Sequence, residues 1–506
     1  MVKSHRVSLF LILAAAFGLR LFFVWQTLTH PLLQADAGLD TSAYVALADR
    51  VISGDWGLGP GLYYVSPLYI YVIALFKGLA GSLTAVRVAQ AAFGTLGVYA
   101  VFVIAREWFT ARAALVAAAL AALCGTFVFT DGLVIQSSVD MALTACALAA
   151  LTLGLRRTNT RWLLVSGLVF GLQTLNRPNV LAAALVVLAL VAWLRTPRLA
   201  VWILCGVLLG LAPATLRNLI VAGQFSLVSS HGGLNLYIGN NETATGLYQL
   251  VPGIRPEIDG QREDTKRVAE QAVGHPLDDA AVSAYFQSRA TGWMTSHPAD
   301  AARLFVKKLW LAVHADHAAL PQSYRFFAED AGTVLRWLPV NPWLLIPLGL
   351  CGLLCAVPAS RAKDAAIVFA FVPAYAAAIA VFFVAERYRV PLLVPLCVGA
   401  GGLVDRALTE RSARWRATAA AVLLAAAALA NWPLDINDGR AADQRRIVLR
   451  ETVHGRDDEA ARWIAQLAAT ATTDADRRAL ADVCLTAGRE AMTRNAPASA
   501  ERLFER

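Results

Sequence analysis

The chain has 506 residues, a mean hydropathy of +0.53 and only 16% charged residues, against about 25% in a typical soluble domain. This excludes one large water-soluble core, and repeated apolar runs of about 20 residues call for membrane-spanning helices. The formal charge of +9 does not point to nucleic acid, because the excess Lys and Arg lies in short loops between apolar runs, where membrane topology explains it.

The chain opens Met1-Val2-Lys3-Ser4-His5-Arg6 and enters an apolar run at 7–25. The run is long, no small-x-small cleavage site follows, and more spans come after, so it is read as an uncleaved first span rather than a removable signal. The stretch 33–67 is the first polar interruption. It carries Asp36, Asp40, Asp49 and Asp55 together with Tyr44, Trp56, Tyr63 and Tyr64. After a membrane span, it is a loop that holds carboxylates just above the bilayer. About eleven spans are predicted in all, at 7–27, 84–105, 113–130, 140–155, 162–175, 180–194, 199–221, 341–358, 365–384, 390–405 and 417–432. The apolar runs 67–79 and 301–312 are short, and are expected to lie in the membrane interface.

Loop charge tests this order. One alternating set of loops holds Lys3 and Arg6; Arg106 and Arg112; Arg156, Arg157 and Arg161; Arg195 and Arg198; Arg361 and Lys363; and Arg406, Arg411, Arg414 and Arg416. The positive-inside rule places that set in the cytoplasm, with 28–83, 223–340 and 433–506 outside it. The Ala/Arg-rich composition suggests a bacterium, whose inner membrane would carry the chain with its N-terminus cytoplasmic and its C-terminus periplasmic. From about 440 onward the sequence is charged, Ala-rich and helical in period. The segments 457–469 and 477–494, with 472–474 between them, read as an antiparallel pair like a degenerate tetratricopeptide hairpin. This tail is read as a packing or partner surface rather than part of a site. Six of the seven cysteines fall in apolar runs, without a disulfide framework or zinc spacing.

Charged residues near membrane depth are functional candidates. The external side collects Asp40; Asp131, Gln136 and Asp140; Arg177 in Asn-Arg-Pro-Asn; Arg217 in Leu-Arg-Asn; and Glu386-Arg387-Tyr388-Arg389. Carboxylates with arginines, and no nucleophilic Ser or Cys motif, suit displacement at a phosphorylated centre. The planar guanidinium matches phosphate, and a carboxylate can take a hydroxyl or amine proton. Each residue also has a structural reading. Asp40 opens Asp-Thr-Ser-Ala-Tyr, a good helix start, and Asp131 suits a turn. Arg177 precedes a proline and marks a helix boundary. Arg387 and Arg389 run against the positive-inside trend, yet could anchor a helix at headgroups. His231, followed by the glycine-rich stretch 232–246, suits a turn or a phosphate cradle. His314, Asp316 and His317 lack a further metal ligand.

In order along the chain, Asp40-x-x-x-Tyr44 with Ala48 and Gly54-Asp55-Trp56, Asn176-Arg177-Pro178, Leu216-Arg217-Asn218, Gly232-Gly233-x-Asn235 with Gly239-Asn240-Asn241, and Glu386-Arg387-Tyr388-Arg389-x-Pro391 resemble the GT-C glycosyltransferases. The closest branch is that of the protein O-mannosyltransferases and the lipid A aminoarabinose transferase. The resemblance covers roughly residues 5–430. It implies a polyprenyl-phosphate sugar as donor and inversion at the anomeric carbon. It also implies Asp40 as general base, Arg387 and Arg389 stabilising the leaving phosphate, and Arg177 and Arg217 as further phosphate ligands. Tyr44, Asp131, Gln136, Asp140, His231, Glu386 and Tyr388 are the remaining site candidates. The chain departs from the pattern at Thr41, where some members have a second acid, and at Gln136, where an acid is common. The Asp-x-Asp metal motif of oligosaccharyltransferases is absent from it, so no cofactor and no metal are expected.

The expected fold is therefore an all-α polytopic membrane protein: a GT-C-like bundle over 1–432, with external loops 28–83 and 223–340, and a helical tail over 433–506. Its expected partners are the bilayer, the lipid-linked donor, an acceptor that is a protein, lipid or glycan, and a protein held by the tail. The rival reading is a transporter or flippase for a lipid-linked or anionic solute, although internal repeats of the transporter kind are not evident. A third is an assembly protein acting through its tail, which leaves the polar loops unexplained.

Overall fold

The computed structural model describes residues 2–434, 436–471 and 473–504, so Thr472 of the predicted tail turn lies outside the described residues. All regular elements among these residues are helical, joined by two isolated bridges, Cys124 with Val340 and Leu247 with Val384. Seven helices are long and apolar enough to cross a membrane: His5–Gln26, Leu83–Trp108, Gln136–Arg157, Pro197–Ala222, Ala359–Ala380, Glu386–Thr409 and Ala413–Ala430. Shorter apolar helices occupy Leu68–Ala80, Ala111–Ala122, Val180–Leu194 and Pro342–Cys355. The protein is a multi-pass, all-α membrane protein.

Every predicted span finds helix, but two are interrupted. The run 113–130 breaks into Ala111–Ala122 and Gly125–Gly132, and the Gly125 N–H leaves the helical ladder for the Val340 carbonyl at 2.8 Å. The run 365–384 breaks between Ala362–Phe369 and Phe371–Ala380. There Pro373 has no N–H to offer the Phe369 carbonyl.

Small residues set how the spans meet. Thr160–Asn176 packs on Pro197–Ala222 through Gly167 and Gly171 facing Gly206 and Gly210. A β-carbon on Gly167 or Gly171 would run into the Ile203 or Val207 carbonyl. The four-residue spacing on each helix is the small-xxx-small pattern that lets backbones touch in a membrane. This contact fixes the outer end of Thr160–Asn176, which carries Asn176 and Arg177. A second close contact, Gly349 and Gly352 against Gly399, seats Pro342–Cys355 on Glu386–Thr409 and so fixes the helix that begins at Glu386.

In the first long loop, Leu39–Ile52 packs on Leu68–Ala80, with Tyr44 edge-on to Tyr69 at 5.7 Å. The second long loop region, 223–340, holds Gly232–Gly239, Ile258–Val273, Asp279–Ser296 and the amphipathic Pro298–Ala312. The tail is four helices, Arg440–Val453, Asp457–Thr470, Asp474–Thr493 and Pro497–Phe504, around Val448, Ile464, Val483, Ala487 and Leu503. It is fastened to the rest of the chain: Ile447 joins a core with Phe23, Leu33, Val128 and Phe326. Arg440 pairs with Asp330 at 2.8 Å and Arg450 with Asp36 at 2.5 Å.

Candidate functional site

A cavity of about 610 Å³ lies where the first loop, the second long loop region and the start of Glu386–Thr409 converge. Its lining includes the polar residues Asp40, Tyr44, Gln136, Arg177, His231, Arg387 and Tyr388. Apolar side chains complete it, among them Leu181, Leu227, Leu250, Ile258, Phe382 and Phe383. Of the twelve residues singled out from the sequence, these seven are brought together.

Asp40 stands in the first turn of Leu39–Ile52, but it is not the helix cap. That place is taken by Gly38 at φ 77, whose N–H donates to Ser42 Oγ at 2.7 Å. A residue with a β-carbon is strained at such a φ. The Asp40 carboxylate instead accepts a hydrogen bond from Arg387 Nη1 across the cavity wall. Thr41 Oγ1 donates to the Val134 carbonyl at 3.2 Å and ties this turn to the second loop. One turn after Asp40, Tyr44 shares its helix face.

The motif Glu386-Arg387-Tyr388-Arg389 is divided by helical periodicity. Residues three apart share a face, so Glu386 and Arg389 turn away together and pair at 2.5 Å. Arg389 also donates to the His314 carbonyl at 2.5 Å, and Glu386 lies 3.3 Å from His317. Both are buried and neither lines the cavity. Arg387 and Tyr388 face into it. The Tyr388 ring has two guanidinium neighbours, Arg177 at 4.8 Å and Arg387 at 5.3 Å from its centroid, geometry in which a ring face attracts cations.

Arg177 reaches the cavity with its charge already matched. Its Nε donates to Asp140 Oδ2 at 2.6 Å, and Asn176 Nδ2 donates to the other carboxylate oxygen at 2.9 Å. Asp140 is fully buried behind this pair. Asp131 is elsewhere, in a sealed pair with Arg20 at 2.6 Å, and Gln90 donates to its backbone carbonyl at 2.8 Å. Arg217 is also remote. It donates to the carbonyls of Gly57, Leu58 and Gly61 at 2.5, 2.8 and 2.6 Å and lies 4.2 Å over the Tyr63 ring, fastening the first loop.

His231 stacks on Tyr64 at 4.8 Å, and burial drives its imidazole down to about 4. It is neutral at pH 7 and supplies no charge to a phosphate. Of the glycine-rich stretch 232–246 after it, Gly232–Gly239 is a helix. A β-carbon on Gly233 or Gly239 would collide with the Ser283 or Phe382 carbonyl, so these glycines serve close packing. Both nitrogens of His314 are engaged: Nδ1 accepts from the Asp316 N–H at 3.1 Å and Nε2 donates to the Trp432 carbonyl at 2.7 Å. Among the described residues no three His, Cys, Asp or Glu side chains converge as a metal cluster.

The sequence reading placed the whole tail away from any site, and here the structure departs from it. Arg446, on Arg440–Val453, lines the cavity. Its Nη1 donates to the Pro321 carbonyl and to Asp443 Oδ1, both at 2.7 Å. Nothing in the sequence marked it, since it stands in a helix rich in arginine whose partners come from distant loops.

The family model for dolichyl-phosphate-mannose-protein mannosyltransferase matches residues 64–215, in line with the resemblance read from the residues. The match includes Gln136, Asp140 and Arg177 and stops short of Asp40 and Arg387 on either side. Among solved structures, the chain is similar to the archaeal oligosaccharyltransferase AglB from Archaeoglobus fulgidus, in complex with an inhibitory peptide and a dolichol-phosphate. The identity is 16%, the TM-score 0.45, and the match covers 90% of this chain and 59% of that one. It is similar also to ArnT from Cupriavidus metallidurans bound to undecaprenyl phosphate, at 16% identity and TM-score 0.43, over 99% of this chain and 78% of that one. The chain thus spans under three fifths of the oligosaccharyltransferase's length. No match is found among curated proteins.

Proposed function

We propose that the protein is a glycosyltransferase that moves a sugar from a polyprenyl-phosphate donor to an acceptor on the periplasmic face of a bacterial inner membrane, with inversion. The observation that carries this reading is the Asp40–Arg387 pair in the wall of a cavity lined by both polar and apolar side chains. A lipid-linked sugar phosphate has the same two kinds of surface.

Asp40 is the base and Arg387 the phosphate ligand. The acceptor's O–H or N–H gives its proton to Asp40 as its heteroatom bonds to the anomeric carbon from the face opposite the phosphate. The bond from that carbon to the phosphate oxygen breaks, its electron pair stays on the oxygen, and the phosphate gains one unit of negative charge. In the same step Asp40 becomes neutral and no longer balances Arg387. The guanidinium is thereby released to the phosphate as charge develops there, which is electrostatic stabilisation directed at the transition state. A phosphate leaving group needs no proton, so no acid and no metal are required, and a chelator is expected to leave turnover unchanged. Tyr388 and the Arg177–Asp140 pair hold Arg387's surroundings in place.

Purified protein incubated with several polyprenyl-phosphate sugars should release free polyprenyl phosphate. A protein that binds or moves these lipids without releasing it is a transporter, and the reading fails. The loop charges place the tail outside the cytoplasm. A reporter that requires export, fused after the last residue, should be active, and activity of only a cytoplasmic reporter there would overturn that orientation.

A further inference from the structure

Four arginines were candidates for the leaving phosphate, and the structure leaves one with its charge directed at the cavity and shared with a group that the reaction neutralises. Arg389 and Arg217 are taken up by buried carbonyls and a carboxylate. Arg177 has its Nε–Nη2 edge occupied by Asp140 inside a buried pair. Arg387 alone would face a leaving group whose charge rises to about two units at neutral pH. The tail brings in a further cation. Arg440–Val453 is wedged between two segments that border the site. Arg446 holds the Pro321 carbonyl, and nearby the Ala318 carbonyl accepts the Glu386 N–H at 2.8 Å, next to Arg387. One turn along, Arg450 holds the Asp36 carbonyl and carboxylate at 2.7 and 2.5 Å, four residues before Asp40. Arg446 has only its Nη1 engaged among the described residues, with Pro321 and Asp443. Its Nε and Nη2 form an edge of the guanidinium fork that suits two phosphate oxygens. Asp443 is itself shared, since its other oxygen accepts the Ser323 N–H at 2.6 Å.

Resting on the function proposed above, we infer that Arg446 is the second cation of the donor-phosphate site, so that the C-terminal tail completes the cavity. The tail is then part of the binding machinery, whatever partner its outer face also meets. Arg446 takes the phosphate through the Nε–Nη2 edge while Nη1 stays on Pro321 and Asp443.

The test uses the full chain in detergent micelles, with a short-chain polyprenyl phosphate and the matching polyprenyl alcohol as probes. Wild-type protein should bind the phosphate more tightly than the alcohol. Arg446→Gln should weaken phosphate binding roughly tenfold to hundredfold and leave alcohol binding unchanged, which also reports an intact apolar lining. Arg446→Lys keeps the charge without the fork and should fall between the two. Arg445, the next residue, lines a separate hollow with Arg325 and Arg440, and Arg445→Gln should alter neither probe. Unchanged phosphate binding in Arg446→Gln overturns the inference and leaves the donor reading standing. Equal loss of both probes also overturns it, because Arg446 would then only hold the wall together. A wild-type protein that does not distinguish phosphate from alcohol removes the donor reading itself.

Discussion

Two Asp–Arg pairs join the first span and loop to distant parts of the chain, and they differ in what else can reach them. Arg20 and Asp131 are 1% exposed each and lie 2.6 Å apart, with Gln90 holding the carbonyls of Asp131 and Leu133. Arg387 and Asp40 are 16% exposed each, on the wall of the cavity. The first pair can only remain as it is, because in a sealed, low-dielectric place no water or substrate can replace a lost partner. In the second, water or a phosphate can take either partner's place. The same two residue types therefore give a fastening in one region and a reactive pair in the other. Exposure to the cavity, rather than residue type, separates them.

The largest effect should come from the open pair. Asp40→Asn keeps the side chain's size but cannot take a proton at neutral pH. Turnover should fall by roughly two to four orders of magnitude, with expression and donor binding largely kept. Near-normal turnover would move the base elsewhere and remove the contrast. Asp131→Asn should do the opposite. It leaves Arg20 charged and buried without a counter-ion, a loss of about 3–5 kcal/mol of stability visible as a lowered melting temperature in detergent. Turnover per folded molecule should stay near wild type. A stable but inactive Asp131→Asn protein would show that the sealed pair takes part in the chemistry.

The next contrast sits within one motif. Arg387→Gln should lower turnover by roughly two to three orders of magnitude, as the loss of one donor to developing charge does elsewhere. Arg389→Gln should act on folding, because it strips Glu386 and the His314 carbonyl of their shared donor. If both variants lose turnover at full stability, both arginines act on the phosphate and the separation by helix face is wrong.

Hydropathy made the bundle legible in the sequence, since an apolar run of membrane length has few alternatives. The breaks at Cys124 and Ala370 were not legible. One follows from a bond to Val340 over two hundred positions away, and the other from Pro373 acting inside an apolar run that looks continuous. Asp40 and Arg387 were legible as charges at the ends of apolar runs. That Glu386 and Arg389 face away together was also readable, from their spacing of three on a helix. The place of Arg217 was not legible because its partners are mostly backbone carbonyls of the first loop, which have no side-chain signature, and Arg446 was passed over because its neighbour across the fold is the Pro321 carbonyl. Asp131 was misread because Arg20 lies within the first apolar run.

The smallest effect should come from a third Asp–Arg pair in the same first loop. Asp55 and Arg50 lie 2.5 Å apart with side chains 41% and 44% exposed. Arg50 also donates to the Gly59 carbonyl at 2.8 Å. The hydrogen bond from Arg50 holds the Asp55 carboxyl below its usual range. Any contribution to stability is therefore present above the ordinary carboxylate value and fades as the pH falls through the lowered one. Both groups are in water, where such pairs contribute little. Asp55→Asn should leave the melting temperature near that of wild type and turnover within about twofold of it across neutral pH. The comparison matters because Asp55 and Asp40 share a loop and differ in access to the cavity. If Asp55→Asn lost as much turnover as Asp40→Asn, the loop as a unit would be the fragile element. The Asp40 result would then carry no information about proton transfer.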